Sequence, residues 1–222
     1  RLPAGVLGVS PKFISISPSY LTNDTIDLAD AGSSGYTVFF KVNSTSYHGK
    51  YAFIGWLYDY EGGTLTVTGE ILLDRTLYWL KDNDFGSINS SKIAFICGDE
   101  RCDRGTEKDL IVLLRENNFK VTAKALDEWT EESLNDFDVM ACSYSSRGCR
   151  ITIGSPVYNT HMNSGKGFVE ISDSSRINAG YTFGYVSSSS ATRKSQIFIT
   201  PMINDNIFSG FSGDINVSTV RR

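Results

Sequence analysis

The chain has 222 residues, 41% of them hydrophobic and 21% charged, with a formal net charge of -4. That length permits one large core or two small ones, and Lys and Arg are dispersed among Asp and Glu, so nucleic acid is set aside as a partner for want of a basic stripe. No run approaches the roughly 18 apolar residues of a membrane-spanning helix, and the start at Arg1, without an initiator Met, reads as a mature or trimmed chain.

From Lys12 to about Trp79 the pattern is strand-like. Phe13, Ile14 and Ile16 open it, followed by residues 36–42, 51–58, 64–68 and 70–73, all aromatic or β-branched runs separated by Gly, Ser, Asn and Asp. Five or so short strands predict a small antiparallel sandwich or meander. Tyr47, Tyr51, Trp56, Tyr58 and Tyr60 crowd within 14 positions. Exposed members of that set would stack on sugar or dock a neighbouring subunit, whereas the plainer expectation is a core built on Trp56 with cross-strand tyrosines. Residues 81–90 have linker character, so the chain divides into residues 1–88 and 89–222.

The second half opens on the run Lys92 to Cys97, apolar at nearly every position, as a strand covered on both faces should be. Leu110, Leu113 and Leu114 then give a helical stripe, and Asn117 and Asn118 suit a left-handed helix end. Residues 119–126 return to strand, Thr130 caps a short helix, and Val139 to Cys142 form a third strand, which by the right-handed crossover rule lies beside the first in local order 2-1-3. Beyond it, residues 167–171 and 196–200 read as strands and residues 206–217 as a final edge element.

Four cysteines fall as close pairs, Cys97 with Cys102 and Cys142 with Cys149. Their spacing fits no usual zinc pattern, so disulfides are predicted, with local pairing (Cys97 to Cys102, Cys142 to Cys149) and cross-strand pairing (Cys97 to Cys142) both open. Sequons stand at Asn23, Asn43, Asn89 and Asn216. Even cysteine count and sequons together point to an extracellular or cell-surface location. Asp99, Glu100, Asp103 and Glu107 crowd the first strand-to-helix turn, where a flavin phosphate would want Ser, Thr and Gly amides, and the third strand ends in Cys142 and Ser143 without the Asp of a phospho-receiver. Asp99 and Asp103 could hold a divalent cation, though Arg101 and Arg104 between them more simply suggest surface ion pairs. No cofactor and no metal are predicted.

The run from Lys92 to Ser143, the later Asn163-Ser-Gly-Lys-Gly-Phe-Val-Glu-Ile-Ser172 and the end Asn206-Ile-Phe-Ser-Gly-Phe211 resemble, in order, class I glutamine-amidotransferase-like domains of the trehalose-utilisation-like branch, over about residues 91–217. The resemblance implies an α/β flavodoxin-like three-layer domain with a parallel sheet, here preceded by the small all-β sandwich-like domain. It also implies that Ser172, after the strand Phe168 to Ile171, stands where catalytic members carry a Cys nucleophile. A hydroxyl there needs a base within hydrogen-bond reach. Both histidines, His48 and His161, precede Ser172, the downstream His of catalytic members is missing, and His161 reads as a solvated loop residue. The expectation is a non-catalytic structural or interaction module of a secreted or cell-surface assembly, with protein partners or self-assembly and glycans as further partners. The competing readings are a hydrolase or amidotransferase-like enzyme using Ser172, with His161 as its base, and a carbohydrate-binding module using the tyrosines.

Overall fold

The polypeptide, seen in a computed structural model, is described over residues 12–43, 49–56, 63–81, 91–98, 102–103, 105–143, 156–171, 176–195 and 198–220. In chain order the strands are β1 (Lys12–Ser15), β2 (Thr25–Ala31), β3 (Thr37–Asn43), β4 (Lys50–Ile54), β5 (Gly63–Leu65), β6 (Lys92–Cys97), β7 (Lys120–Ala125), β8 (Val139–Ser143), β9 (Gly167–Ile171), β10 (Thr192–Ser195), β11 (Phe198–Pro201), β12 (Ile215–Asn216) and β13 (Ser218–Val220). The helices are α1 (Val67–Leu80), α2 (Gly105–Glu116), α3 (Glu131–Leu134), α4 (Pro156–Asn163) and α5 (Ala179–Thr182).

Nine strands share one sheet in the order β12-β11-β2-β3-β4-β9-β8-β6-β7. From β4 to β7 every pairing is parallel, and from β12 to β4 every pairing is antiparallel. Two further pairs, β1 with β10 and β5 with β13, lie outside it. This corrects the expected flavodoxin-like three-layer domain with a parallel sheet preceded by a small sandwich: the sheet is large and mixed, and among the described residues only α1 and α2 exceed ten residues. The physical reason lies in β4. Tyr51, Ala52, Phe53 and Ile54 are all buried, so this strand needs cover on both faces and a partner on each edge, and it finds the second partner in β9 from the other half of the chain.

Residues 70–73 also differ from expectation, being helix rather than strand. Thr66 caps α1, its hydroxyl accepting from the Gly69 N–H at 3.0 Å. Leu72, Leu73, Thr76, Leu77 and Leu80 are buried at helical spacing. Gly167 allows the end of α1 to meet β9, because a Cβ there would stand 2.5 Å from the Leu80 Cβ. The β7-β6-β8 neighbourhood has the 2-1-3 order that right-handed crossovers produce. Asn118 ends α2 at φ 67°, and Thr130 caps α3 by accepting from the Ser133 N–H.

Side chains alternating across the sheet feed two cores. One face packs Phe39, Trp56, Phe95, Val169 and the leucines of α1 and α2, with Phe39 meeting Trp56 edge to face at 4.9 Å. The other packs Phe40, Tyr51, Phe53, Phe168, Trp129 and Phe183. Among the described residues no helix is long and apolar enough to cross a membrane.

Candidate functional site

Strand β9 lies inside the nine-stranded sheet, between β4 and β8, and is buried along its length. Phe168 and Glu170 face the second core, Val169 and Ile171 the first. Glu170 is a carboxylate with no solvent exposure in an otherwise apolar strand. Such a group is costly unless each oxygen is hydrogen-bonded. Here the Tyr51 hydroxyl of β4 donates to it at 2.6 Å, and the N–H groups of Asn178 and Gly180, at the start of α5, donate at 2.8 and 3.0 Å. Gly180 is required for that approach, since a Cβ there would lie 2.7 Å from the Tyr51 hydroxyl.

Burial pushes the Glu170 carboxyl up to about 7, against the opposing pull of the Tyr51 hydroxyl and the Gly180, Asn178 and Ala179 amides. Burial, followed by the Glu170 charge, raises the Tyr51 phenol well above its ordinary value. The Tyr51 ring lies in an aromatic shell, 5.0 Å from Tyr185 and 6.1 Å from Phe168 between centroids. The chemistry of this cluster is that of a desolvated carboxyl joining β9, β4 and α5. Sequence reasoning passed over Glu170, although a single carboxylate in a strand otherwise suited to double-sided burial is a readable sign of an internal hydrogen-bond centre.

His161 is not the solvated loop residue expected. It belongs to α4 and is 3% exposed. Its Nε2 bonds the Gly167 carbonyl at 3.2 Å, so Nε2 carries the proton, and Nδ1 has no hydrogen-bond partner among the described residues. Burial lowers its pKa to about 4, leaving a neutral imidazole. The contact is at the first residue of β9, whereas Ser172 follows the last. Ser172 itself, like His48, lies outside the described residues.

Cys97, the last residue of β6, and Cys102 form a disulfide with Cα atoms 5.4 Å apart. Glu107 of α2 is buried and accepts from the Gly98 N–H at 3.2 Å, so one of the four acids that follow β6 in the sequence is internal. Cys142, at the end of β8, is also disulfide-bonded; Cys149 is outside the described residues. Of the aromatic set, Tyr51 and Trp56 are core residues, 0% and 2% exposed, while Tyr47, Tyr58 and Tyr60 are outside the described residues. Asn23 is exposed in the turn before β2, Asn43 ends β3, and Asn216 lies on β12; Asn89 is outside the described residues. Among the described residues no group of three or more His, Cys, Asp or Glu could hold a metal ion.

Two further carboxyls, Asp27 and Asp30, sit on the irregular strand β2, whose register with β3 shifts on both sides of Ala29. Thr37 donates to Asp27 at 2.6 Å. Burial raises Asp27 to about 6 and shifts Asp30 upward too. Each keeps one buried oxygen without a partner among the described residues. Neither was singled out from the sequence, where both sit among ordinary turn and strand residues.

No protein family matches the sequence, and no curated protein matches it. Solved structures of the IMPa metallopeptidase from Pseudomonas aeruginosa are similar at 11% identity and TM-score 0.45, covering 74% of this chain. IMPa in complex with T-antigen gives 11% identity, TM-score 0.47 and 84% coverage. IMPa from the same organism in complex with an O-glycopeptide gives 9% identity, TM-score 0.45 and 85% coverage. The chain spans 17 to 21% of the length of those proteins, and at these scores the likeness carries no argument about function.

Proposed function

We propose that this chain is a non-catalytic structural or interaction module of a secreted or cell-surface protein. The observation that carries the reading is the placement of His161. Its ring is anchored to the carbonyl of Gly167 at the amino end of β9, and the far end of that five-residue strand, which leads to Ser172, is about 13 Å away at ordinary strand rise. A base for Ser172 would have to act across hydrogen-bond distance. Glu170, the carboxyl nearest the chain position of Ser172 among the buried groups, already accepts from Tyr51, Asn178 and Gly180. The Cys97–Cys102 disulfide supports an oxidising compartment. Kinship with amidotransferase-like domains, in this proposal, concerns the parallel strands and not the antiparallel half.

The test is turnover of chromogenic short-chain esters and amides by the parent protein and by Ser172→Ala and His161→Gln. The proposal expects background rates for all three. Turnover by the parent that disappears in Ser172→Ala, in a variant that keeps the parent's circular dichroism, overturns it.

A further inference from the structure

We propose that the outer edge of β7 pairs antiparallel with the same edge of a second copy of this chain. The inference gives a partner to the interaction role proposed above and rests on it. The sheet has two ends, and they are unlike. At one, β12 is only two residues long, a blunt edge of the kind that discourages pairing. At the other, β7 runs for six residues and, among the described residues, is paired on one side only.

The ladder tells which groups face outward. Lys120 N–H donates to the Ser91 carbonyl, so in the parallel register with β6 the main-chain groups of Lys120, Thr122 and Lys124 point inward, and those of Val121, Ala123 and Ala125 point away. Two of the outward positions are held by side chains. Arg115 donates to the Val121 carbonyl at 3.1 Å, and Ala125 N–H donates to the Glu128 carboxylate at 2.8 Å. Between them Ala123 has no bond on its outer side among the described residues. It stands in an open groove of about 390 Å³ whose lining includes Asp103, Ile111, Arg115, Lys124 and Glu128.

The charges along that edge are ordered. Arg115 and Lys120, both exposed, stand at its amino end, and Asp103 and Glu128, also exposed, at its carboxyl end. Lys124 turns its ammonium over the Trp129 ring at 5.1 Å. An antiparallel two-fold centred on Ala123 places Val121 opposite Ala125 of the second copy, so the basic end of each strand meets the acidic end of the other. Arg115 then meets Glu128 of the second copy, twice over by symmetry, as an isologous contact requires. Ala123 exchanges two main-chain hydrogen bonds with its own symmetry mate, and its methyl group offers no bulk to oppose the approach. Parallel pairing would set like charges side by side, which disfavours it.

The experiment is sedimentation equilibrium of the full chain over a concentration series, for the parent, Ala123→Pro, Arg115→Glu, Glu128→Arg and the Arg115→Glu/Glu128→Arg double variant. Proline at an outward-facing edge position leaves the ladder to β6 intact, and circular dichroism establishes that each variant is folded. The expected result is a concentration-dependent dimer in the parent, weakened about tenfold or more by each single substitution and restored by the double charge reversal. A parent that stays monomeric throughout the series, or a dimer that responds to none of the single variants, overturns the inference. Either outcome leaves the Ser172→Ala result, and with it the non-catalytic reading, standing on its own.

Discussion

Glu170 on β9 and the pair Asp27 and Asp30 on β2 are carboxyls withdrawn from water in the same sheet, yet they are treated differently. Glu170 lies between parallel strands of regular register and accepts from a hydroxyl and two amides. Asp27 and Asp30 lie where the β2–β3 register slips, and each leaves a buried oxygen unmatched among the described residues. Desolvation raises all three. The difference teaches that burial of a carboxyl is not by itself a sign of chemistry: full pairing makes Glu170 a fastening between strands and helix, whereas partial pairing makes Asp27 and Asp30 a local cost that the rest of the sheet offsets.

The largest effect expected from breaking this contrast is at Glu170. Glu170→Ala strands two amides and a hydroxyl and leaves a cavity, for an expected loss of about 4 kcal/mol in urea unfolding. A loss under about 1 kcal/mol would make Glu170 dispensable to the fold. Gly180→Ala comes next, at about 2 kcal/mol, because the added methyl meets the Tyr51 hydroxyl. Tyr51→Phe removes one bond to a charged or charge-sharing acceptor and should cost about 1.5 kcal/mol. On the other side of the comparison, Asp27→Asn should be neutral or stabilising by less than about 1 kcal/mol at pH 8, because it removes a carboxylate whose ionisation the fold opposes. A thermal melt that drops several degrees in Asp27→Asn would put that residue among the fastenings.

Linkage gives the sign of the pH dependence. A carboxyl whose folded pKa is raised binds its proton more tightly in the fold than in the unfolded chain, so its contribution is full at low pH and is lost as pH rises through the folded value. For Asp27 the loss runs from about 3.8 to about 6, and for Glu170 from about 4.5 to about 7. His161 acts oppositely: kept neutral by burial, it withdraws stability as pH falls from about 6.5 to about 4. His161→Gln should therefore gain stability relative to the parent as pH falls below about 6.5 and run parallel to it above that pH.

The parallel strands β6, β7 and β8 were legible because hydrophobic period switches between strand and helix at each of their boundaries, and because crossover handedness then orders them. α1 was not, since Ile71, Leu72 and Leu73 form a short apolar run that strand and helix share. Its helical spacing shows only when Thr76, Leu77 and Leu80 are read with them. The joining of β4 to β9 was hidden for a different reason. Two doubly buried strands far apart in sequence carry no local mark of which edge each takes. The site was less legible still, because what gives Glu170 its role is the arrival of Tyr51 and the Asn178 and Gly180 amides from two other elements. His161 misled for lack of the same information: its loop-like neighbours hide a helix whose inner face it occupies.

The most direct measurement is the unfolding free energy of the parent and of Glu170→Gln from pH 4.5 to pH 8. With Glu170 acting as a desolvated fastening, the parent loses stability relative to the Gln variant, which has no proton to release there, as pH rises from about 4.5 to about 7, whatever slope His161 and Asp27 give to both proteins. Parallel profiles for the two proteins would contradict the account, showing that Glu170 titrates alike in the folded and unfolded chain and is not the buried hydrogen-bond centre of this sheet.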